Sequence, residues 1–377
     1  MALADKSASA RHASDARPVP FLTPKRQAPT GTGPAQRAGK LWLALIPLAA
    51  VHSLVMFAGF FAPEDYAEQD RTLPLAPPSR LHFVDPQGRF HVVPFVYRIV
   101  PPPARPGDYL EDQSRVFPIG ILVRGTPYRV AGIFTSRRHL FGVEAPAKIF
   151  LLGRDEYGRD QLSRLLYGGR VSLFAGLLAA MLSVTTGALL GACAGFYGGW
   201  LDGALMRFSE LFLALPWLYL LLAVRAFLPL RVSPSEALLL AITIVGLVGW
   251  ARPARLVRGV VLSARGRNYV LAARGFGASD FYLIRRHVLP ETFGVVLTQA
   301  ALLAPQYILA EVTLSFFGLG VGEPVPSWGN MLSSLLRYYV LSQCWWMLSP
   351  GLALIGVSLL YYLLTSLLQE RLRIGQL

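Results

Sequence analysis

Apolar runs long enough to cross a bilayer limit the possible folds of this sequence more than any other feature. The clearest is residues 171–195, VSLFAGLLAAMLSVTTGALLGACAG, which contains no charged residue. A bilayer helix needs about 20 apolar residues, and the backbone in lipid must be hydrogen-bonded internally, so such runs form helices. We therefore predict an all-α polytopic membrane protein. Its six predicted transmembrane helices are residues 41–61, 171–195, 205–228, 237–250, 292–319 and 346–368.

The composition favours the same class. Of the 377 residues, 53% are hydrophobic and 15% are charged, a balance typical of membrane proteins rather than soluble multi-domain proteins. The net charge of +14 lies mainly in the N-terminal tail and the loops between spans, where the positive-inside rule explains it without a nucleic-acid partner. The two cysteines and six scattered histidines form no metal-ligand spacing and no disulfide framework.

The N-terminal part sets the orientation. Residues 1–39 are rich in Ala, Pro, Arg and Ser, and we predict a disordered, basic, cytoplasmic tail. Residues 40–61 then form the first transmembrane helix. A signal peptide is the alternative, but the run starts late and ends without a small-residue cleavage site. Six spans entered from the inside place both termini in the cytoplasm.

Residues 62–152 form a predicted β-rich extracytoplasmic insert. The turn sequences DPQG at 85–88 and GTP at 125–127 join β-like runs in pairs. Two roles are open for the insert: packing on the membrane core, or contact with a protein that delivers substrate. The predicted strands are residues 81–85, 89–99, 119–124 and 128–134.

A basic stretch at residues 267–290 lies between two spans, in a segment (251–291) that this topology places in the cytoplasm. A helical pattern covers 269–274, glycines including Gly277 break it, and Ser279 or Asp280 caps a second helix that Pro290 ends or continues. This helix, glycine turn and second helix predict a docking element for another protein. The simpler interpretation is a topology signal only.

The same stretch resembles the EAA loop of ABC-importer permeases, in which a short helix docks on an ATPase. Leu271 stands where the family has glutamate, and His287 where it has isoleucine. The resemblance implies that these residues couple the chain to an ATPase: Tyr269, Val270, Ala272, Ala273, Gly277, Ala278, Ser279, Asp280, Leu289 and Pro290.

Two further blocks, 151–173 (LLGRDEYGRDQLSRLLYGGRVSL) and 308–332 (ILAEVTLSFFGLGVGEPVPSWGNML), resemble signatures of the dipeptide, oligopeptide and nickel importer permeases. Arg154 replaces the threonine usual in the first block. The family signature residues are Asp155, Gly158, Arg159, Asp160, Ser163, Arg164 and Trp328.

Spacing alone predicts salt bridges in the first of these blocks. The i, i+4 positions favour pairing of Asp155 with Arg159, and of Asp160 with Arg164, along one face of a helix. We interpret these pairs as solvated at the membrane interface rather than as chemistry. Trp328 is also expected at the interface.

Breakers and ionisable residues within the spans are candidates for the translocation pathway: Glu210, Glu311, Pro216 and Pro305. Ionisable groups are costly in hydrocarbon and often functional there, while prolines free backbone groups that must be satisfied within the bundle. For Glu311 two roles are open, lining the pathway or satisfying an inter-helix hydrogen bond. Glu210 has the alternative of lying near the interface.

Residues 153–377 thus resemble the C-type permease subunit of peptide-class ABC importers, which implies a type I importer permease fold in the bacterial inner membrane. The implied partners are a second homologous permease, two ABC ATPase subunits and an extracytoplasmic substrate-binding protein. A P-loop and a catalytic constellation are missing from the sequence, so no catalytic residue is predicted. ATP and magnesium belong to the partner ATPases, and this chain is predicted to bind no cofactor.

Functions from other classes remain as alternatives. An ion-driven secondary transporter needs ionisable residues deep in several spans and often shows inverted repeats, neither of which is evident. A scaffold or sensor protein fits the insert but leaves the three blocks unexplained. The resemblance leaves the cargo open among dipeptides, oligopeptides, peptide-like toxins, nickel complexes and glutathione.

Overall fold

The computed structural model describes residues 34–101, 109–130, 134–226 and 233–374. The helices are α1 (Pro34–Met56), α2 (Ala58–Phe61), α3 (Gln161–Tyr197), α4 (Gly199–Ala214), α5 (Trp217–Ala226), α6 (Pro234–Val248), α7 (Ala251–Arg265), α8 (Asn268–Gly275), α9 (Asp280–Leu283), α10 (Leu289–Phe316), α11 (Trp328–Ser333), α12 (Tyr338–Gln343) and α13 (Ser349–Ile374). The strands are β1 (His82–Val84), β2 (Phe90–Val100), β3 (Leu110–Pro118), β4 (Gly120–Val130) and β5 (Phe134–Gly142).

Within the described residues, three helices are long and apolar enough to cross a membrane. They are Gln161–Tyr197, Asp280–Phe316 and Trp345–Leu372. A fourth span results if α6 and α7, which meet at a bend of 42°, count as one. The apolar part of α1, Lys40–Met56, is shorter. Membrane-crossing helices are therefore present, and the arrangement of six spans remains a prediction.

Two predicted segments differ in the structure. The predicted span 205–228 is broken, because α4 ends at Ala214 and α5 begins at Trp217. Pro216 lies in the break, where its missing N–H and its ring disfavour a continuous helix. The segment 251–265, predicted as the start of a cytoplasmic loop, is instead the helix α7.

Glycines let α3 and α7 pack with their backbones close together. Gly187, Gly191 and Gly195 lie four residues apart on one face of α3, and a Cβ at Gly191 would overlap the carbonyl oxygen of Ala254 in α7. Small residues at this spacing are typical of tight helix contacts in membranes. On this side of α7, Val257, Val261 and Ala264 are buried, so α7 forms a firm base for the segment that follows it.

The predicted tail and the insert also need correction. Residues 1–33 lie outside the described residues, and α1 already begins at Pro34, within the predicted tail. The strands form an antiparallel sheet β1-β2-β3 and a hairpin β4-β5. The GTP sequence at 125–127 is no turn. It lies inside β4, where the register shifts, since a proline is tolerated at such an irregularity. Strand β3 was not predicted.

Candidate functional site

Eight of the ten coupling candidates lie in a helical elbow, which we define as α8, the turn after it and α9, while Leu289 and Pro290 begin α10. Gly277 has a φ of +83°, a left-handed conformation that favours glycine. Its N–H donates to the Arg274 carbonyl at 3.0 Å, and the Ala278 N–H donates to the Ala273 carbonyl at 3.1 Å. These two bonds close α8 and turn the chain sharply towards α9.

The second helix of the elbow is capped and then merges with a membrane helix. The Ser279 hydroxyl accepts the N–H of Tyr282 at 3.3 Å, so Ser279 is the cap and Asp280 is the first helical residue. A π-helical turn at Ile284–Val288 joins α9 to α10. Pro290 lies in the first turn of α10, where the missing N–H costs little, so it continues the helix instead of ending it.

The inner face of the elbow is fixed to the helix bundle. Val270 and Leu283 of the elbow, and Val288 of the π-helical turn that follows it, are at most 2% exposed. They pack in one apolar cluster with Val257 of α7 and Phe196 of α3. The elbow is therefore packed firmly against the long helices α3 and α7.

Polar contacts hold the edges of the elbow. The Tyr269 hydroxyl donates to Glu291 Oε1 at 3.0 Å, and Arg267 Nη1 lies 2.9 Å from the same oxygen. Arg274 Nη2 pairs with Asp280 Oδ1 at 3.0 Å across the glycine turn. Each pair is solvent-exposed on at least one side, so these contacts position the elbow more than they stabilise the fold.

The outer face of the elbow exposes large apolar side chains. We name Leu271, Phe276, Phe281 and Tyr282 the elbow patch, and Phe276 is 93% exposed. Clustered exposed apolar residues mark interaction surfaces. None of these four residues was among the coupling residues predicted from the sequence, although the aromatic residues on both sides of Gly277 were an available indication.

The signature residues assemble into a buried ionic cluster at the start of α3. Asp155 Oδ2 accepts from Arg159 Nε at 2.7 Å and lies 3.3 Å from Arg164 Nε. Both guanidiniums also bind Glu323, at 2.6 Å from Arg159 and 2.9 Å from Arg164. The two arginine side chains are only 4% and 2% exposed. The cluster thus ties the segment before α3 to the loop after α10.

The predicted pairing of Asp160 with Arg164 is wrong. Asp160 is the N-cap of α3, and its carboxylate accepts from the backbone N–H and the hydroxyl of Ser163 at 2.7 and 2.6 Å. The segment before it is a turn rather than a helix, because Gly158 has a φ of +71° and a Cβ there would overlap the Asp70 backbone. The Asp155–Arg159 pair forms, but in this turn and shielded from solvent.

Arg154, which replaces the family threonine, has a completely buried side chain. It donates to the Gly158 carbonyl at 2.6 Å, and it lies 3.4 Å from Glu64 and 3.2 Å from Asp70. Its guanidinium also covers the Phe150 ring at 3.9 Å. Sequence reasoning missed Glu64, Asp70 and Glu323 as members of this region.

Burial and nearby charges shift the pKa values of the carboxyl groups in this region in different directions. Burial, aided by the charge of Asp160, raises the pKa of Glu64 to about 7 against the pull of Arg154. Complete burial raises the pKa of Asp160 to about 6, although Ser163 opposes it. Burial also acts to raise the pKa of Glu323, but hydrogen bonds from Arg159 and the charge of Arg164 outweigh it and hold that pKa below its ordinary value.

Glu64→Gln is expected to remove a pH dependence of stability. Because the Glu64 pKa in the fold is above its ordinary 4.5, the fold binds the proton more tightly, and stability falls as pH rises from 4.5 to about 7. In thermal denaturation of the purified chain, wild type and Glu64→Gln should have equal Tm values at pH 5, and Glu64→Gln should have the higher Tm at pH 8. The exposed control Glu144→Gln should match wild type at both values. An equal Tm shift at both pH values in Glu64→Gln would contradict this prediction.

Glu311 is 2% exposed and lies in the protein interior. Its Oε1 accepts from the Ser315 hydroxyl one turn further along α10, at 2.6 Å. The side chains of Ser172 in α3 and Ser327 before α11 interact with the same carboxylate. The Ser315 bond lies within α10, and the buried Oε2 of Glu311 has no hydrogen-bond partner among the described residues, so both predicted roles stay open.

Trp328, which is expected at the membrane interface, is buried among the helices of this chain. Its indole is 2% exposed, donates from Nε1 to the Leu165 carbonyl at 3.0 Å and packs against Gly169. Its backbone N–H donates to the Ser172 hydroxyl at 3.1 Å. Trp328 therefore joins α11 to α3.

A cavity of about 530 Å³ lies between the α4–α5 break, the α6–α7 bend and α10. Pro216 in the break after α4, Gly249 at the bend before α7, and residues next to Pro305 of α10 line it, together with Arg252 and Gln306. α10 itself continues through Pro305. Irregular backbone at membrane depth is tolerated where it lines a cavity or is buried in protein. Of the pathway candidates, Pro216 lines this cavity, and Pro305 directly precedes the lining residue Gln306.

The other polar candidate lies elsewhere. Glu210 is exposed on α4, and its Oε2 lies 3.4 Å from Arg207 Nη1 on the same helix. In the described part of the chain, no group of three or more His, Cys, Asp or Glu side chains is arranged to hold a metal ion.

Long apolar helices, an elbow fixed to them and a cavity at their irregular points define a membrane permease. The family described as "binding-protein-dependent transport system inner membrane component" matches residues 187–374, which include the elbow and the cavity wall of α6, α7 and α10. The chain belongs to this family.

Curated relatives agree with this assignment. The dipeptide transport system permease protein of Bacillus subtilis (strain 168) is 40% identical over 203 residues, covering 54% of this chain and 61% of the relative. The oligopeptide transport system permease protein of the same organism is 36% identical over 197 residues, covering 52% and 63%. A putative peptide transport system permease protein of Brucella suis biovar 1 (strain 1330) is 37% identical over 245 residues, covering 64% and 79%. The chain spans about three fifths of the length of the first two relatives.

Proposed function

We propose that this chain is the permease subunit of an ATP-driven peptide importer of the bacterial inner membrane, with both termini in the cytoplasm. The relatives' names, dipeptide and oligopeptide transport system permease proteins, support peptides as cargo. The chain forms half of the translocation pathway, and a second homologous permease forms the other half. The alternating states of such a pathway differ by only a few kcal/mol.

The observation that carries this proposal is the two-sided elbow. Its inner residues Val270 and Leu283 are buried among the long helices, while Phe276 and Phe281 are exposed. An ATPase subunit that binds the elbow patch moves α3, α7 and α10 when it closes on ATP. Two ATPase subunits use ATP and magnesium, and this chain converts their closure into movement of helices.

The remaining partners bind on the outer side. The β1–β5 insert faces the extracytoplasmic space, next to the end of the first membrane helix, where His139 Nδ1 lies 2.6 Å from the Ala62 carbonyl oxygen. An extracytoplasmic substrate-binding protein delivers the peptide on this side. The ionic cluster around Asp155 holds the outer ends of α3 and α10 together.

Crosslinking tests the docking assignment. A photo-crosslinking amino acid in place of Phe276, introduced into the assembled importer in membranes, should capture an ATPase subunit. The matched control is the same amino acid in place of Phe134, a residue of the insert that is 71% exposed and should give no such product. Capture of the ATPase from position 134 but not from 276 would refute the proposal.

A further inference from the structure

Arg252 stands out among the residues that line the 530 Å³ cavity, because it is the one charged side chain in that lining within the described chain. It lies in the first turn of α7, directly after the bend. The rest of the lining is largely apolar, with Gln306 and Tyr307 of α10 as its polar side chains.

The packing of the bend places this arginine at membrane depth. Gly249 lies against the Tyr307 ring, and the Tyr307 hydroxyl is 3.0 Å from the Ser183 hydroxyl of α3. Ser183 lies well inside the apolar, membrane-length helix Gln161–Tyr197, so this level is within the part of α3 that is suited to cross the bilayer. Arg252 follows Gly249 by less than one helical turn, roughly 5 Å along the axis.

No ionic partner for this guanidinium occurs in the part of the chain that the structure describes. Arg252 is exposed within the cavity, and it takes part in none of the salt bridges formed by the described acidic residues, which pair instead at both ends of the bundle, as in Asp202–Arg258 and Asp155–Arg159. An unpaired charge at this depth is costly, and such residues mark substrate pathways.

We propose that Arg252 binds the C-terminal carboxylate of the transported peptide as it passes through the cavity, an inference that rests on the proposed peptide-import function. A guanidinium presents a planar pair of donors that matches a carboxylate, and the bond is strong where water is excluded. The cavity volume is within the range of small-molecule sites, and its apolar wall suits peptide side chains of varied shape. Gln306 offers an amide to the peptide backbone. Since every linear peptide carries this carboxylate, the contact serves cargo of any sequence.

Uptake of matched peptides by the complete importer in proteoliposomes tests this site. The probes are one peptide with uncharged side chains as the free acid and the same peptide as the C-terminal amide. Uptake is normalised to the amount of peptide-loaded binding protein, so that a preference of the binding protein for the acid or the amide does not affect the comparison. Wild type should favour the acid by on the order of tenfold, the effect of one hydrogen-bonded charge pair. Arg252→Gln should take up acid and amide equally.

Two further variants keep the result decisive. Arg252→Lys, which retains the charge, should keep most of the preference for the acid, and Arg255→Gln, one turn along α7, should leave the preference unchanged. Because the acid-to-amide ratio is internal to each sample, lower assembly of a variant does not alter it. An unchanged ratio in Arg252→Gln, or an equal loss of both peptides, would overturn the inference and assign Arg252 to contact with a partner subunit. Absence of ATP-driven uptake by wild type would instead count against the proposed function.

Discussion

Replacing Gly277 by valine is expected to uncouple transport from ATP hydrolysis while the importer still assembles. The φ of +83° places this residue in a region where an L-residue costs roughly 1–2 kcal/mol, and more for a β-branched side chain. Space is not the limit, since nothing lies within 4 Å of a Cβ at this position. Relaxation of φ breaks the turn and misaligns Phe276 and Phe281, while Val270 and Leu283 keep the elbow attached.

The measurement is the amount of peptide moved per ATP hydrolysed in the reconstituted complex, which should fall about tenfold, as expected for a penalty near 1.4 kcal/mol. Gly275→Ala is the matched control: this glycine lies in α8 and also has open space around it, so alanine should be tolerated or slightly stabilising. Gly277→Asn should fall between, because asparagine accepts positive φ more readily. Normal coupling in Gly277→Val would argue against the elbow as the coupling element.

Replacing Asp155 by asparagine is expected to destabilise the fold strongly. Its Oδ2 lies between Arg159 and Arg164, and its Oδ1 accepts the backbone N–H groups of Tyr157 and Arg159, each at 2.9 Å. In the variant, Glu323 is the remaining carboxylate that pairs with the two buried guanidiniums, and its side chain is 44% exposed. Removing one partner from a buried ion pair costs about 3–5 kcal/mol, because the other charge stays buried without compensation.

Thermal unfolding of the purified chain in detergent measures this effect as a lower Tm. Asp280→Asn is the control, since it removes an aspartate from an exposed pair with Arg274 and should cost at most about 1 kcal/mol. Glu323→Gln should give an intermediate loss, because water screens its pairs in part. If Asp155→Asn and Asp280→Asn shifted Tm equally, the buried cluster would have no special role in stability.

Local sequence features predicted the elbow well. A helical pattern, a glycine that tolerates positive φ, and a serine that caps the next helix are all neighbours along the chain. They predicted a helix at 269–274, close to the observed Asn268–Gly275, and a cap at Ser279 or Asp280, of which the structure has Ser279. The exposure of Phe276 was not predictable in this way, because it depends on which face of the elbow packs on distant helices.

The side-chain partners that could not be predicted from the sequence are mostly contacts between segments that lie far apart along the chain. Arg159 and Glu323 lie far apart along the chain, so i, i+4 spacing revealed the Asp155–Arg159 pair but not the second acid. Asp160 was assigned to the wrong partner for the same reason: spacing indicates which side chains are within reach, whereas Gly158 decides that the segment is a turn.

Two prolines in predicted spans affect the continuity of their helices differently, and local sequence rules do not predict which effect each one has. Pro216 interrupts its span, whereas α10 continues through Pro305. Packing decides between them: Ala304 and Tyr307, beside Pro305, are buried against the bundle, while the residues before Pro216 face the cavity and are exposed.

ATP-driven peptide uptake into proteoliposomes tests the central claim most directly. The complete set contains this chain, a second permease, the two ATPase subunits and the binding protein, and each sample omits one of them. The account predicts uptake that requires ATP and every component, and that stops when this chain is left out. Uptake that continues without the ATPase subunits, driven by an ion gradient through this chain, would contradict it.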